Sequence, residues 1–225
     1  MSADEQRAVG VVVDGDERVG GGGFLEIRRL WLRNRRADGS VSAPYVCDAI
    51  ARPYGQDAVV VAVYARRGDG DVIVLVREGL RPALAFGRDP ALAPLPEPPT
   101  ELYVTELVAG ILEAGDRGED GLRVRAAHEV HEEAGFVVEP SAIALLGAGL
   151  LPSPGSMVEK FYFTAVEVDP AAQGPLAGDG SPMEEGARTR WLPLADALAA
   201  CWRGDLADLK TELGLRRLRE HLHGH

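Results

Sequence analysis

The chain has 225 residues, with 24 Lys and Arg against 35 Asp and Glu, a formal net charge of −11. A length near one to two domain sizes and a hydrophobic fraction of 46% support one core domain with an extension. Bulk acidity speaks against nucleic acid and anionic membrane as partners, since both select basic surfaces. No run of about 18 apolar residues suggests a transmembrane helix. The polar start MSADEQRAVG lacks the basic and apolar regions of a signal peptide, so a cytoplasmic protein is expected. Cys47 and Cys201 are far apart in sequence and read as two reduced thiols. The histidines of the tail EHLHGH alternate without cysteine partners and read as a solvated end.

In chain order, Val11, Val12 and Val13 predict a short strand or a loose arm before the glycines 20–23. The bulky side chains of FLEIRRLWLRNR, the Asp38-Gly39 turn and Tyr45-Val46-Cys47 predict an N-terminal β-hairpin. Residues 57–65 form a nearly continuous apolar run, as in a strand buried on both faces, and Val72–Val76 return after a turn at Asp69-Gly70-Asp71. Pro90, Pro94, Pro96, Pro98 and Pro99 predict a loop over 85–99. Residues 105–110 lead into a glycine-rich turn, and 122–134 read as a helix capped by Gly135. Strands are predicted at 143–151, 161–168 and around Trp191, with a long mobile loop at 170–186 and helices near 194–202 and 205–222. Interleaved strands and helices make the class α/β or α+β.

The chemistry concentrates in His128–Gly135. At 100° per residue, Glu129, Glu132 and Glu133 share one arc of a helix, while Ala127, Val130 and Ala134 occupy a neighbouring arc that can face the core. Like charges ~5 Å apart repel by about 3 kcal/mol at an effective dielectric near 20. The negative end of the helix dipole disfavours acids in a last turn by a few tenths to about 1 kcal/mol each. Arg125 offers Glu129 a helical partner; Glu132 and Glu133 have none. A divalent cation would remove both penalties, and Mg²⁺ favours carboxylate oxygens while leaving positions open for phosphate.

This stretch resembles the second half of the box of the Nudix hydrolase family, G-x5-E-x7-R-E-U-x-E-E-x-G-U, with His128 in the arginine slot. The first half has two registers: Gly110 with Asp116 in the glutamate slot, or Gly118-Glu119-Asp120. Around it, Glu106–Gly110 resembles the ELPAG segment of the branch that cleaves ADP-ribose and other nucleoside diphosphate sugars. Arg77–Pro82 resembles that branch's EQYRxP segment, and Pro152–Glu159 its SPG-x-x-x-E loop. The resemblance covers residues 24 to 200.

It implies an α/β/α sandwich with a mixed sheet over 51–225, preceded by an N-terminal arm and dimerising hairpin over 1–50. The implied activity is Mg²⁺-dependent (or Mn²⁺-dependent) hydrolysis of a nucleoside diphosphate sugar, ADP-ribose first, by a homodimer. Metal ligands would be the Ala109 carbonyl, Glu129, Glu132 and Glu133. Glu184 or Glu185 would take the proton from water, alongside Glu132 and Glu133 as catalytic acids. Arg81, Glu106 and Glu159 would contact substrate, and Trp31, Tyr45 and Tyr54 are candidates to stack on the base. UDP-sugars remain an alternative substrate. The departures at His128 and Asp116 keep a weakly catalytic binding or regulatory module as a second class of function.

Overall fold

The computed structural model describes residues 7–53, 55–68, 70–87, 89–95 and 101–224. Tyr54, Asp69, Pro96, Pro98, Pro99 and His225 lie outside these. The chain forms two compact units, one from residues 1–56 with 151–160 and one from residues 57–150 with 161–225.

The first unit is a three-stranded antiparallel sheet, β1 (Ala8–Val19), β2 (Glu26–Arg36) and β3 (Tyr45–Ala51). β1 extends beyond the short strand expected from its three valines, because β2 supplies it with charged partners. Arg33 pairs with Asp14 at 2.5 Å, Arg28 with Asp16 at 2.6 Å, and Arg18 with Glu26. Arg29 reaches Asp48 on β3 at 2.7 Å. The alternation missing from the apolar pattern of β2 is therefore carried by ion pairs across strands. β1 shifts register between Val13 and Gly15, and Gly15 leaves space for the Trp31 ring, which a Cβ there would meet at 2.9 Å.

The second unit is built on a seven-stranded mixed sheet. Its path runs β10 (Arg188–Pro193), β5 (Val72–Leu80), β4 (Ala58–Arg66), β9 (Phe161–Glu167) and β8 (Ala144–Leu145). Only β4 and β9 run parallel. β6 (Tyr103–Glu106) adds to β5, and β7 (Val108–Ile111) adds to β4. Every residue of β4 from Ala58 to Ala65 is buried, as its unbroken apolar run predicts. Val60, Ala62 and Tyr64 face a core with α3 (Leu194–Arg203) and α4 (Leu209–Leu222). Val59, Val61 and Val63 face a second core with α2 (Gly118–Ala134). The result is the α/β/α sandwich expected from the sequence. Among the described residues, no helix is long and apolar enough to cross a membrane.

Three elements differ from the sequence expectation for local reasons. Helix α2 starts at Gly118, inside the stretch read as a turn, because Glu119 and Asp120 suit the positive end of a helix. Residues 105–110 break into β6 and β7 at Leu107, whose side chain is fully buried and whose N–H bonds Thr211 Oγ1 at 2.8 Å. The strand expected over 143–151 pairs only at Ala144 and Leu145, with a further bridge from Leu150 to Phe161. The proline-rich stretch contains a short helix, α1 (Pro82–Gly87), and one 3-10 turn at Pro90–Leu92.

Gly135 ends α2 in the left-handed region, at φ 75°. Its carbonyl accepts from Gly174 N–H at 2.8 Å, and a Cβ on it would collide with the Gly174 carbonyl. Gly135→Ala should therefore cost more than the roughly 1–2 kcal/mol of a left-handed alanine. A urea melt of the variant measures this; an unchanged midpoint would mean that the cap does not fix the helix end.

Candidate functional site

Helix α2 brings the predicted acids together at one end of the sheet of the second unit. Glu129 and Glu133 are buried, at 8% and 7% exposure, while Glu132 is half-buried and His128 is exposed. Burial is possible because β7 passes beside the helix. The Glu129 carboxylate lies over Gly110, where any Cβ would collide with it. Glu133 accepts the Ala109 N–H at 3.0 Å through Oε2 and the Arg77 guanidinium through Oε1. Ala109, expected as a carbonyl ligand, is thus beside Glu133.

Two arginines hold this acidic face. Arg77, on β5, is 3% exposed and also approaches Glu184 Oε1 at 3.5 Å. Its role had no clear sequence signal beyond membership of the REGLRP segment, because the partners come from 56 and 107 residues away. Arg125 pairs with Glu113 and Asp116, both at 2.9 Å, and more loosely with Glu129 at 3.8 Å. Of the two box registers, Asp116 is the acid that joins this cluster, whereas Glu119 pairs with Arg123.

The loop after β9 closes the far side. Glu132, Glu133, Glu184 and Glu185 line an open cavity of about 330 Å³, with Arg77 and the glycines 178, 180 and 186. Glu184 approaches Arg77 through Oε1 at 3.5 Å, and its Oε2 accepts the Asp179 N–H at 2.9 Å. Glu185 is exposed, and its carbonyl accepts the Tyr103 hydroxyl at 2.8 Å. A second cluster stands where β5 and β6 meet α4. Glu106, 2% exposed, pairs with Arg81 and with Lys210. Lys210 carries no motif and was not singled out in the sequence.

The other expected residues lie in the first unit. Trp31 is on β2, and Tyr45 starts β3 with its hydroxyl donating to Asn34 Oδ1 at 2.8 Å. Glu159 is 5% exposed and paired with Arg52 at 2.7 Å.

The acids pay an electrostatic cost. Burial, then the Glu133 and Glu132 carboxylates, pushes Glu129 up to about 8 despite Arg125. Burial pushes Glu133 up to about 7 against the pull of Arg77 and the Ala109 N–H. Buried carboxylates held close by a glycine strand form an oxygen-rich donor set suited to a hard divalent cation. Among the described residues no three acidic, histidine or cysteine side chains already stand in a ligating arrangement. Both oxygens of Glu133 are engaged, by Arg77 and by the Ala109 N–H, whereas Glu129 has a looser pair to Arg125 at 3.8 Å.

No family model matches the chain. Over 156 residues the sequence is 28% identical to an ADP-ribose pyrophosphatase of Haemophilus influenzae, covering 69% of this chain. The match spans 62% of that relative's length. A solved structure described as an ADP compounds hydrolase superposes with TM-score 0.67 and 16% identity, covering 97% of each chain. A Nudix hydrolase from Alicyclobacillus acidocaldarius aligns with TM-score 0.46 and 16% identity over 72% of this chain and 89% of its own. Acid helix, mixed sheet and flanking helices together form a fold shared with that ADP compounds hydrolase. The sequence likeness falls on an ADP-ribose pyrophosphatase, at 28% identity.

An unfolded glutamate loses its proton near pH 4.5, whereas folded Glu129 keeps it to about pH 8. In that window the native state binds more protons, so stability without metal falls as pH rises and levels off above about pH 8. Denaturant titrations in a chelator should show this fall, flattened in Glu129→Gln and offset by Mg²⁺ or Mn²⁺ at the alkaline end. Identical pH profiles for the two proteins would refute the assignment of Glu129 as the strained acid.

Proposed function

We propose that this chain hydrolyses the diphosphate bond of a nucleoside diphosphate sugar, with ADP-ribose as the preferred substrate, yielding AMP and ribose 5-phosphate. The observation that carries the proposal is the convergence of buried Glu129 and Glu133 with Ala109 and Glu184. The similarity to an ADP-ribose pyrophosphatase supports the choice of substrate.

Glu129, Glu132 and Glu133, with the Ala109 carbonyl, would hold Mg²⁺, with Mn²⁺ as a substitute. When bound, such cations neutralise the diphosphate and lower the pKa of an attacking water. Arg77 keeps Glu133 and Glu184 within one guanidinium of each other. Glu184 is the loop acid we assign to accept the proton from water, because it is half-buried and reaches Arg77, whereas Glu185, which also lines the cavity, is exposed. Arg81 supplies charge-assisted donors to a phosphate or ribose oxygen, with Glu106 fixing its position. Glu159 and Trp31 we keep as contacts to the sugar and base; a neighbouring copy of the chain would supply them if β1 to β3 complete its site. We accordingly propose a homodimer. Reduced Cys47 and Cys201, both free thiols, support a cytoplasmic setting.

The test is release of AMP from ADP-ribose in Mg²⁺, with UDP-glucose as the comparison substrate. Glu129→Gln and Glu133→Gln should each lower kcat by about a hundredfold or more, in line with loss of electrostatic stabilisation. Glu184→Gln should fall similarly, and Glu185→Gln should stay within about threefold of wild type. Preference for UDP-glucose would move the substrate; no turnover of either with Mg²⁺ or Mn²⁺ would leave a binding module. Sedimentation equilibrium decides the dimer.

A further inference from the structure

Four charges alternate across the junction of β5, β6 and α4: Arg81, Glu106, Lys210 and Asp208. Glu106 sits at their centre with its two oxygens divided, Oε1 to Arg81 Nη2 and Oε2 to Lys210 Nζ at 2.6 Å. Lys210 is in turn fixed by Asp208 at 2.9 Å. Asp208 also caps α4, accepting the Thr211 N–H at 3.0 Å and the Thr211 hydroxyl at 2.6 Å. Thr211 then takes the Leu107 N–H, one residue beyond Glu106. The ammonium is thus placed by a helix cap and a strand break at once.

A buried carboxylate facing one arginine normally takes a two-pronged fork, with both oxygens on the same guanidinium. Nothing in the strand prevents it, for Gly79 leaves the space: a Cβ there would collide with Glu106 Oε1 and lie 3.3 Å from Arg81 Cζ. The second oxygen, Oε2, is instead held by Lys210. Among the described residues, Arg81 makes one bond to Glu106 and one to the Leu80 carbonyl at 3.1 Å, and its side chain is 37% exposed. Burial opposes the Lys210 charge, but Glu106 and Asp208 outweigh it and hold the ammonium protonated above its ordinary range.

We infer that Lys210 is a positioning residue that keeps Arg81 available to an anionic substrate by occupying the second oxygen of Glu106. The inference rests on the reading of Arg81 as a substrate contact. It assigns to α4, which carries none of the family motifs, a part in the affinity for the diphosphate.

The experiment compares wild type, Lys210→Met, Lys210→Arg and Arg81→Ala, by calorimetric binding of ADP-ribose in a chelator and by crystal structures of wild type and Lys210→Met. In Lys210→Met, Arg81 should close into the fork with Glu106, and ADP-ribose should bind about tenfold more weakly. Lys210→Arg should restore most of the affinity. In steady-state assays with Mg²⁺ the loss should appear in KM, with kcat little changed. Should Lys210→Met not fold, Lys210→Gln, which keeps a donor but no charge, should give an intermediate loss. Full affinity in Lys210→Met beside weakened binding in Arg81→Ala overturns the inference and leaves the substrate reading standing. If wild type itself binds no ADP-ribose, the substrate reading fails. The role of Lys210 is then judged on the Arg81 geometry alone, and an unchanged single bond to Glu106 overturns it.

Discussion

The buried pair of Arg77 and Glu133 is the contact on which the arrangement of the site depends. It joins β5 to α2, and through Glu184 it also reaches the loop before β10. Removing one partner of such a pair strands the other charge in a low-dielectric setting, at a cost of about 3–5 kcal/mol. Glu133 is further fixed by Ala109, so helix, two strands and loop meet at one carboxylate. The acids of α2 can be buried because neighbouring groups satisfy Glu133 and because Gly110 makes room for Glu129.

This shows how stability is set against function. An apolar α2 face would pack on β7 with no charge to desolvate. The chain instead places Glu129 there, with a loose pair to Arg125 and the carboxylates of Glu133, Glu132 and Glu184 acting on it. Sites that prepare charge before their ligand arrives tend to be strained in this way. The strain is local, since Val130 and Ala134 on the same helix are fully buried in an ordinary apolar core.

Much of the architecture is legible in the sequence, because it depends on local patterns. The apolar run of β4 implies burial on both faces, and the structure packs helices on both. Gly135 announces the end of α2. The acids at positions 129, 132 and 133 follow from helical spacing and from resemblance to a known box. What the sequence hides is long-range. Arg77 and Lys210 look like ordinary surface cations until β5 and α4 are placed against their acidic partners, the latter 104 residues from Glu106. Arg125, three residues before His128 on α2, holds Asp116 and Glu113, both of which lie ahead of the helix. Neither of the two acids signals that pairing by spacing along a single helix.

The first unit has a property that its three strands alone do not reveal. Its sheet comes from the start of the chain, but it also takes residues 151–160, where Ile50 N–H bonds the Ser156 carbonyl at 2.7 Å. This piece leaves the second unit after Leu150 and returns at Phe161, the first residue of β9. No single cut of the gene separates the two units. A fragment trimmed to begin after β3 would keep an orphaned segment immediately ahead of a central strand. The boundaries by which such a protein could be shortened, shuffled or fused are therefore topological rather than linear.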